Sequence, residues 1–138
     1  MKKVKTDKLE IAYLDSGPKD GPVAMLMHGF PYDIESYSKV GPLLNERGIR
    51  TIIPYLRGYG HTVFLDPQTP RSGEQAALGA DLLALMDVLA IEQAVLAGYD
   101  WGGRAANVVA ALWPARAKGL VTGAGYNIQN VAASERPA

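Results

Sequence analysis

Residues 98–103 read Gly-Tyr-Asp-Trp-Gly-Gly, and this stretch decides the fold of the 138-residue chain. A short apolar run precedes it, and a segment rich in small residues follows it. Glycine at Gly98, Gly102 and Gly103 allows a sharp turn from strand to helix, with Asp100 at its apex in strained backbone geometry. The start of the helix supplies free N–H groups and a positive dipole end that face Asp100. The stretch therefore predicts a nucleophile elbow.

Strand-like and helix-like segments alternate on either side of this turn. The predicted strands lie near residues 2–5 and at residues 9–14, 23–27, 51–53, 94–97 and 120–122, and the predicted helices at residues 36–47, from Ser72 onward, and at residues 102–112. Ser72 and Gln75 have the spacing of a capping box at the start of the second helix. Such alternation predicts an α/β fold with a mostly parallel sheet flanked by helices. Chemistry in such sheets lies at the carboxyl ends of the strands, where the elbow is found.

The composition argues against several classes of function. Fourteen basic and fourteen acidic residues cancel, so neither nucleic acid nor an anionic membrane is predicted as a partner. No apolar stretch approaches the roughly 18 residues of a membrane span. The chain has no cysteine, which excludes disulfides and thiolate catalysis and predicts a cytoplasmic location. The only histidines, His28 and His61, have no third ligand at useful spacing, so no metal site is predicted.

An aspartate at the apex of the turn favours attack on a saturated carbon. A carboxylate is already ionised at neutral pH, so it needs no base to attack an epoxide or a carbon–halogen bond. The product is an alkyl ester of Asp100, which water must cleave with the help of a general base. The alternative is that Asp100 only caps the helix. The three glycines and the preceding buried strand favour the elbow.

Three segments together resemble the epoxide hydrolases and related enzymes of the α/β-hydrolase fold. They are residues 28–31 (His-Gly-Phe-Pro), residues 56–60 (Leu-Arg-Gly-Tyr-Gly) and residues 98–104 (Gly-Tyr-Asp-Trp-Gly-Gly-Arg), in the family's order and at family-like separations. The resemblance covers essentially the whole chain from Leu9. It implies that residues 1–138 are the N-terminal portion of a single α/β-hydrolase domain. It also implies a hydrolase that acts on a small apolar organic substrate and water, without a cofactor.

The same resemblance implies roles for individual residues. The backbone N–H groups of Phe30 and Trp101 are expected to form an oxyanion hole for the Asp100 ester. Pro31 is expected to shape that loop through a cis peptide, and His28 to orient it. The remaining motif and pocket positions are Gly29, Gly98, Tyr99, Gly102 and Gly103.

Haloalkane dehalogenases are similar to this chain as well, because Trp101 matches their halide-holding tryptophan. Many of them carry asparagine where Phe30 stands, and phenylalanine has no side-chain donor. Some place a catalytic acid within the segment that corresponds to residues 123–127, which contains no carboxylate here. Fluoroacetate dehalogenases have arginine at the position of Trp101. These differences favour epoxide hydrolysis over dehalogenation.

The family order of nucleophile, acid and histidine predicts a limit on turnover. Neither His28 nor His61 follows Asp100, and the resemblance places Ala138 near the start of a helical cap, after about the sixth strand. We therefore expect the chain to be truncated, and to form the Asp100 ester without releasing it at a useful rate. We also expect the last strand to expose an edge that favours self-association. A non-catalytic remnant that acts as an interaction module is the alternative.

Overall fold

Apolar runs at strand periodicity assemble into a seven-stranded mixed sheet in the computed structural model, which describes residues 1–127. The strands are β1 Lys2–Lys5, β2 Leu9–Ser16, β3 Val23–Met27, β4 Arg50–Pro54, β5 Val63–Phe64, β6 Ala94–Tyr99 and β7 Ala117–Gly123. The predicted start of a cap near Ala138 lies outside the described residues.

The sheet has a parallel half and an antiparallel half. The strand order is β1-β2-β4-β3-β6-β7, and β5 pairs with β2. Strands β4, β3, β6 and β7 run parallel, whereas β1, β2 and β5 pair antiparallel. The predicted mostly parallel sheet is therefore confirmed for the half that contains the elbow. The two-residue strand β5 was not predicted, because so short a segment has no periodicity to detect.

Three α-helices cover the sheet within residues 1–127. They are α1 Val40–Glu46, α2 Gln75–Val88 and α3 Trp101–Leu112, and short 3-10 helices span Ile34–Tyr37 and Pro114–Arg116. The single helix predicted over residues 36–47 is wrong, since a 3-10 turn and α1 share that segment. Asp33 caps the turn by accepting a hydrogen bond from the Glu35 N–H at 2.9 Å.

The predicted capping box at the start of α2 is also wrong. Helix α2 begins at Gln75 rather than Ser72, and Glu74 at its N-cap makes no side-chain capping bond. The Ser72 hydroxyl accepts from the Glu74 N–H at 3.2 Å, and the Gln75 amide donates to the Asn127 carbonyl at 3.0 Å. Both side chains are therefore engaged in other contacts, which the local spacing does not show.

The main core lies between the sheet and the pair α2 and α3. Its fully buried side chains come from strands and helices alike: Met25, Ile52, Leu82, Leu85, Met86, Leu96 and Val109. Burying each large apolar side chain contributes about 1.5–3 kcal/mol. Gly79 on α2 lets the helices approach closely, because a Cβ there would lie 2.4 Å from Val108. This packing fixes α3, and with it the turn that precedes α3.

Within residues 1–127, β7 pairs only with β6, and its outer side is open. Val121 on β7 is 62% exposed. Among the described helices, none has the length and hydropathy that crossing a membrane requires.

Candidate active site

Asp100 is the single residue between β6 and α3, at the turn from strand to helix. Its backbone angles are φ 50° and ψ −122°, in a region that non-glycine residues rarely adopt. Its N–H donates to the Gly123 carbonyl at 2.9 Å, and its own carbonyl accepts from the Arg104 N–H at 3.0 Å. Bonds from β7 and α3 thus hold the strained residue on both sides.

The glycines of the elbow are explained by close backbone contacts. A Cβ on Gly102 would lie 2.1 Å from the Met27 carbonyl oxygen and 2.4 Å from that of His28. A Cβ on Gly98 would lie 2.5 Å from the carbonyl carbon of Gly102. No side chain fits at these distances, so Gly102 lets α3 begin close to the end of β3, and Gly98 lets β6 end close to the start of α3.

The loop after β3 reaches the Asp100 carboxylate. The Phe30 N–H donates to Oδ2 of Asp100 at 2.9 Å, and the Phe30–Pro31 peptide is cis, as predicted. Gly29 permits this approach, because a Cβ there would lie 2.7 Å from the Asp100 Cβ. Trp101 is the first residue of α3, so its N–H has no acceptor within the helix. The structure therefore brings the Phe30 N–H to the Asp100 carboxylate, and an oxyanion hole formed by Phe30 and Trp101 stays a prediction.

His28 is fully buried and linked to the backbone through both ring nitrogens. Its Nδ1 lies 3.2 Å from the Gly29 carbonyl oxygen, and its Nε2 accepts from the Leu56 N–H at 3.1 Å. Since Nε2 accepts, the proton is on Nδ1. Burial lowers the pKa of His28, which keeps the ring neutral. Through the bond from the Leu56 N–H, His28 links the loop after β3 to the loop after β4. His61 is exposed, and its ring centroid lies 6.0 Å from that of Tyr55.

A cavity of about 300 Å³ opens beside the elbow. Its apolar and aromatic walls are Tyr59, Phe64, Leu78 and Trp101. Burial raises the pKa of Tyr59, and the negative charge of Asp100 adds to the effect, so the phenol stays protonated near the carboxylate. Trp101, the residue after Asp100, thus forms part of the wall of an apolar cavity.

Tyr99 does not line this cavity. Its hydroxyl lies 2.7 Å from the Ser36 Oγ, and its ring lies 6.2 Å from that of Tyr37. It therefore packs the end of β6 against the 3-10 turn at Ile34–Tyr37, away from the cavity that Trp101 lines.

Arg57 anchors the rim of the cavity through a partner that spacing did not reveal. Its guanidinium donates twice to Asp81, at 2.6 Å each, and once to the Ser72 carbonyl at 2.9 Å. Burial raises the pKa of Asp81, against the opposing effect of Arg57. The available signal was Asp81 itself, an acid beside the apolar stripe of Leu78 and Leu82 on α2. Across residues 1–127, no three acidic, histidine or cysteine side chains come together in a way that would hold a metal.

Comparison with known proteins places this geometry in context. The model of the alpha/beta hydrolase fold family matches residues 22–136. Epoxide hydrolase 3 of Siraitia grosvenorii is 40% identical over 101 residues, which are 73% of this chain and 31% of that protein. The chain thus spans about a third of the length of this curated relative.

Two solved structures superpose on the chain. The crystal structure of a provisionally assigned epoxide hydrolase from Klebsiella pneumoniae is 51% identical, with a TM-score of 0.91, over 99% of this chain and 45% of the other. An epoxide hydrolase from Vigna radiata is 30% identical, with a TM-score of 0.79, over 88% of this chain and 38% of the other.

Proposed function

Because the chain belongs to the α/β-hydrolase fold family, we propose that it carries the nucleophilic half of an epoxide hydrolase site, with Asp100 as the nucleophile. The observation that carries the proposal is the position of the Asp100 carboxylate. It belongs to the positive-φ residue between β6 and α3, its Oδ2 lies 2.9 Å from the Phe30 nitrogen, and the next residue, Trp101, lines an apolar cavity. Its relatives named as epoxide hydrolases support the choice of epoxide over other electrophiles.

The proposed reaction has two steps. First, a carboxylate oxygen of Asp100 attacks a ring carbon of the epoxide and forms a C–O bond. The ring C–O bond breaks, and the ring oxygen keeps the electron pair and takes a proton from water. In the second step, water loses a proton to a base and attacks the carbonyl carbon of the ester. The acyl C–O bond breaks, the leaving alkoxide takes the proton back from the base to give a diol, and Asp100 is restored as a carboxylate once the new carboxyl group releases its proton to solvent. The N–H groups of Phe30 and Trp101 stabilise the oxyanion of this second step.

The second step needs a base, and the two histidines do not suit the task. Both ring nitrogens of His28 are engaged by the backbone, and burial lowers its pKa. His61 is on an exposed loop beside Tyr55. We therefore expect the ester to persist on the 138-residue chain.

Mass spectrometry of the purified chain tests both expectations. After incubation with styrene oxide, the intact mass should rise by one adduct, and peptide mapping should place that adduct on Asp100. The variant Asp100→Asn should stay unmodified, and the matched control Asp33→Asn should react like the parent. An unmodified parent would contradict the nucleophile, and continuous diol formation would contradict the persistent ester. A parallel incubation with 2-bromoethylbenzene, in which the bromide released is measured, tests the dehalogenase alternative.

Self-association and a cytoplasmic location stay predictions. The open outer side of β7, with Val121 exposed, supports the first. Sedimentation velocity over a range of protein concentrations measures it, and a monomer at every concentration would contradict it. The same result would weaken the alternative of a non-catalytic interaction module.

A further inference from the structure

Arg104 is on the first turn of α3 and lies against two aromatic rings. Its guanidinium carbon is 4.5 Å from the centroid of the Trp101 ring and 5.1 Å from that of Tyr126. Cations within about 6 Å of a ring centroid are attracted by its electron-rich face. Both contacts fall within that range, so the charge of Arg104 connects the two rings.

These rings are the main partners of the Arg104 side chain among residues 1–127. Within that part of the chain, Arg104 forms no ion pair, and its buried Nε has no hydrogen-bond partner. Arg57, by comparison, donates to both oxygens of Asp81. A guanidinium bound to a carboxylate interacts mainly with that partner, whereas the Arg104 guanidinium interacts mainly with the two rings.

The segment after β7 fixes the position of Tyr126, which carries the second of the two rings. The Asn127 side-chain amide donates to the Arg104 carbonyl at 3.1 Å and accepts from Asn107 at 2.9 Å. The Gln75 amide donates to the Asn127 backbone carbonyl at 3.0 Å. These bonds tie the residue next to Tyr126 to both α2 and α3. The backbone next to Tyr126 is therefore anchored, and the Arg104 guanidinium lies against both the Tyr126 ring and the Trp101 ring.

We infer that Arg104 is a positioning residue, which sets the Trp101 indole as a wall of the substrate cavity and thereby limits the width of the epoxide accepted. The inference rests on the proposed function, because Trp101 lines the cavity next to Asp100. It assigns to Arg104 an effect on substrate choice without any contact with the substrate. Arg104 does not itself line that cavity.

Tryptophan fluorescence and ester formation, measured together, test the inference. A Trp113→Phe background leaves Trp101 as the sole tryptophan of the chain. In that background, Arg104→Met should raise acrylamide quenching of Trp101 about threefold, the factor that corresponds to a cation–π contact at the weaker end of the usual range. The ratio of Asp100 labelling rates for styrene oxide and 1,2-epoxybutane should change by a similar factor. Arg104→Lys, which keeps the cation, should restore part of both effects.

Two further variants keep the test decisive. Arg47→Met removes an exposed arginine on the other side of the sheet and should change neither quantity. Tyr126→Leu removes a ring that is 52% exposed, so it should fold even if Arg104→Met does not, and should show the same changes at smaller size.

The outcomes separate the two proposals. Unchanged quenching and unchanged selectivity in the folded variants would overturn the role of Arg104 while Asp100 labelling stands. An absence of labelling in the parent would overturn the proposed function, and the selectivity role of Arg104 with it.

Discussion

The elbow at residues 98–103 and the loop at residues 55–62 both follow parallel strands and both border the cavity, yet different contacts hold them in place. The elbow lies where it does because side chains are absent, so that backbone can touch backbone at Gly102. The loop at residues 55–62 lies where it does because side chains are present, chiefly Arg57 on Asp81 and His28 on the Leu56 N–H. Adding atoms to the elbow should therefore destabilise the protein, whereas the loop at residues 55–62 should be destabilised by removing side-chain atoms.

The largest effect is expected from adding one methyl group to the elbow. In Gly102→Ala, the new Cβ meets the Met27 carbonyl oxygen at 2.1 Å, and neither backbone can move without distorting β3 or α3. We expect a loss of about 4 kcal/mol or more in the free energy of unfolding, measured by urea denaturation. Gly73→Ala is the matched control, because its Cβ would have no atom within 4 Å. Similar stability of the two variants would contradict the conclusion that close backbone contact at Gly102 holds the elbow in place.

A smaller loss is expected from removing the Arg57 guanidinium. The side chains of Arg57 and Asp81 are only 9% and 14% exposed, so Arg57→Met leaves a buried carboxylate without its partner. The expected cost is about 3 kcal/mol at pH 7. Since burial already raises the pKa of Asp81, the cost should shrink as the pH falls toward 4 and the carboxyl takes up a proton. The double variant Arg57→Met/Asp81→Asn should recover part of the loss, and no recovery would show that the pair does not hold the loop.

The smallest effect concerns His28, which touches both regions. Burial lowers its pKa in the folded chain, whereas the unfolded chain binds the proton with a pKa of 6.5. Stability should therefore fall as the pH drops below about 6.5, with this histidine contributing at most about 1.4 kcal/mol per pH unit. Unfolding free energies at pH 5, 6 and 7.5 measure the slope. His28→Gln should flatten it and exposed His61→Gln should not; equal slopes in all three proteins would contradict a buried neutral His28.

The same comparison explains which features could be predicted from the sequence. The elbow is a local pattern: three glycines and an aspartate within six residues carry its geometry, so the turn and its place at a strand end were foreseen. The contacts of the loop at residues 55–62 are long-range. Asp81 is 24 residues from Arg57, and nothing in the spacing pairs them before the chain folds.

The start of α2 shows the same limit. Ser72 and Gln75 have capping-box spacing, but the Ser72 hydroxyl accepts from the Glu74 N–H and the Gln75 side chain bonds to Asn127. For Gln75, a tertiary hydrogen bond thus overrides a local preference. Strand β5 was missed for a related reason, because its two residues exist as a strand only through pairing with Leu9 and Glu10 of β2.

The hydrogen bond from the Phe30 N–H makes the two oxygens of Asp100 different, since it binds Oδ2 at 2.9 Å. If Oδ2 remains there as the carbonyl oxygen of the proposed ester, Oδ1 is the atom that joins the substrate carbon. Attack by water on the carbonyl carbon then sends Oδ1 away in the diol and leaves a solvent oxygen in its place. Hydrolysis of the ester would therefore transfer one oxygen atom from the protein to the product. In water labelled with oxygen-18, the first diol released would carry an unlabelled oxygen from Asp100.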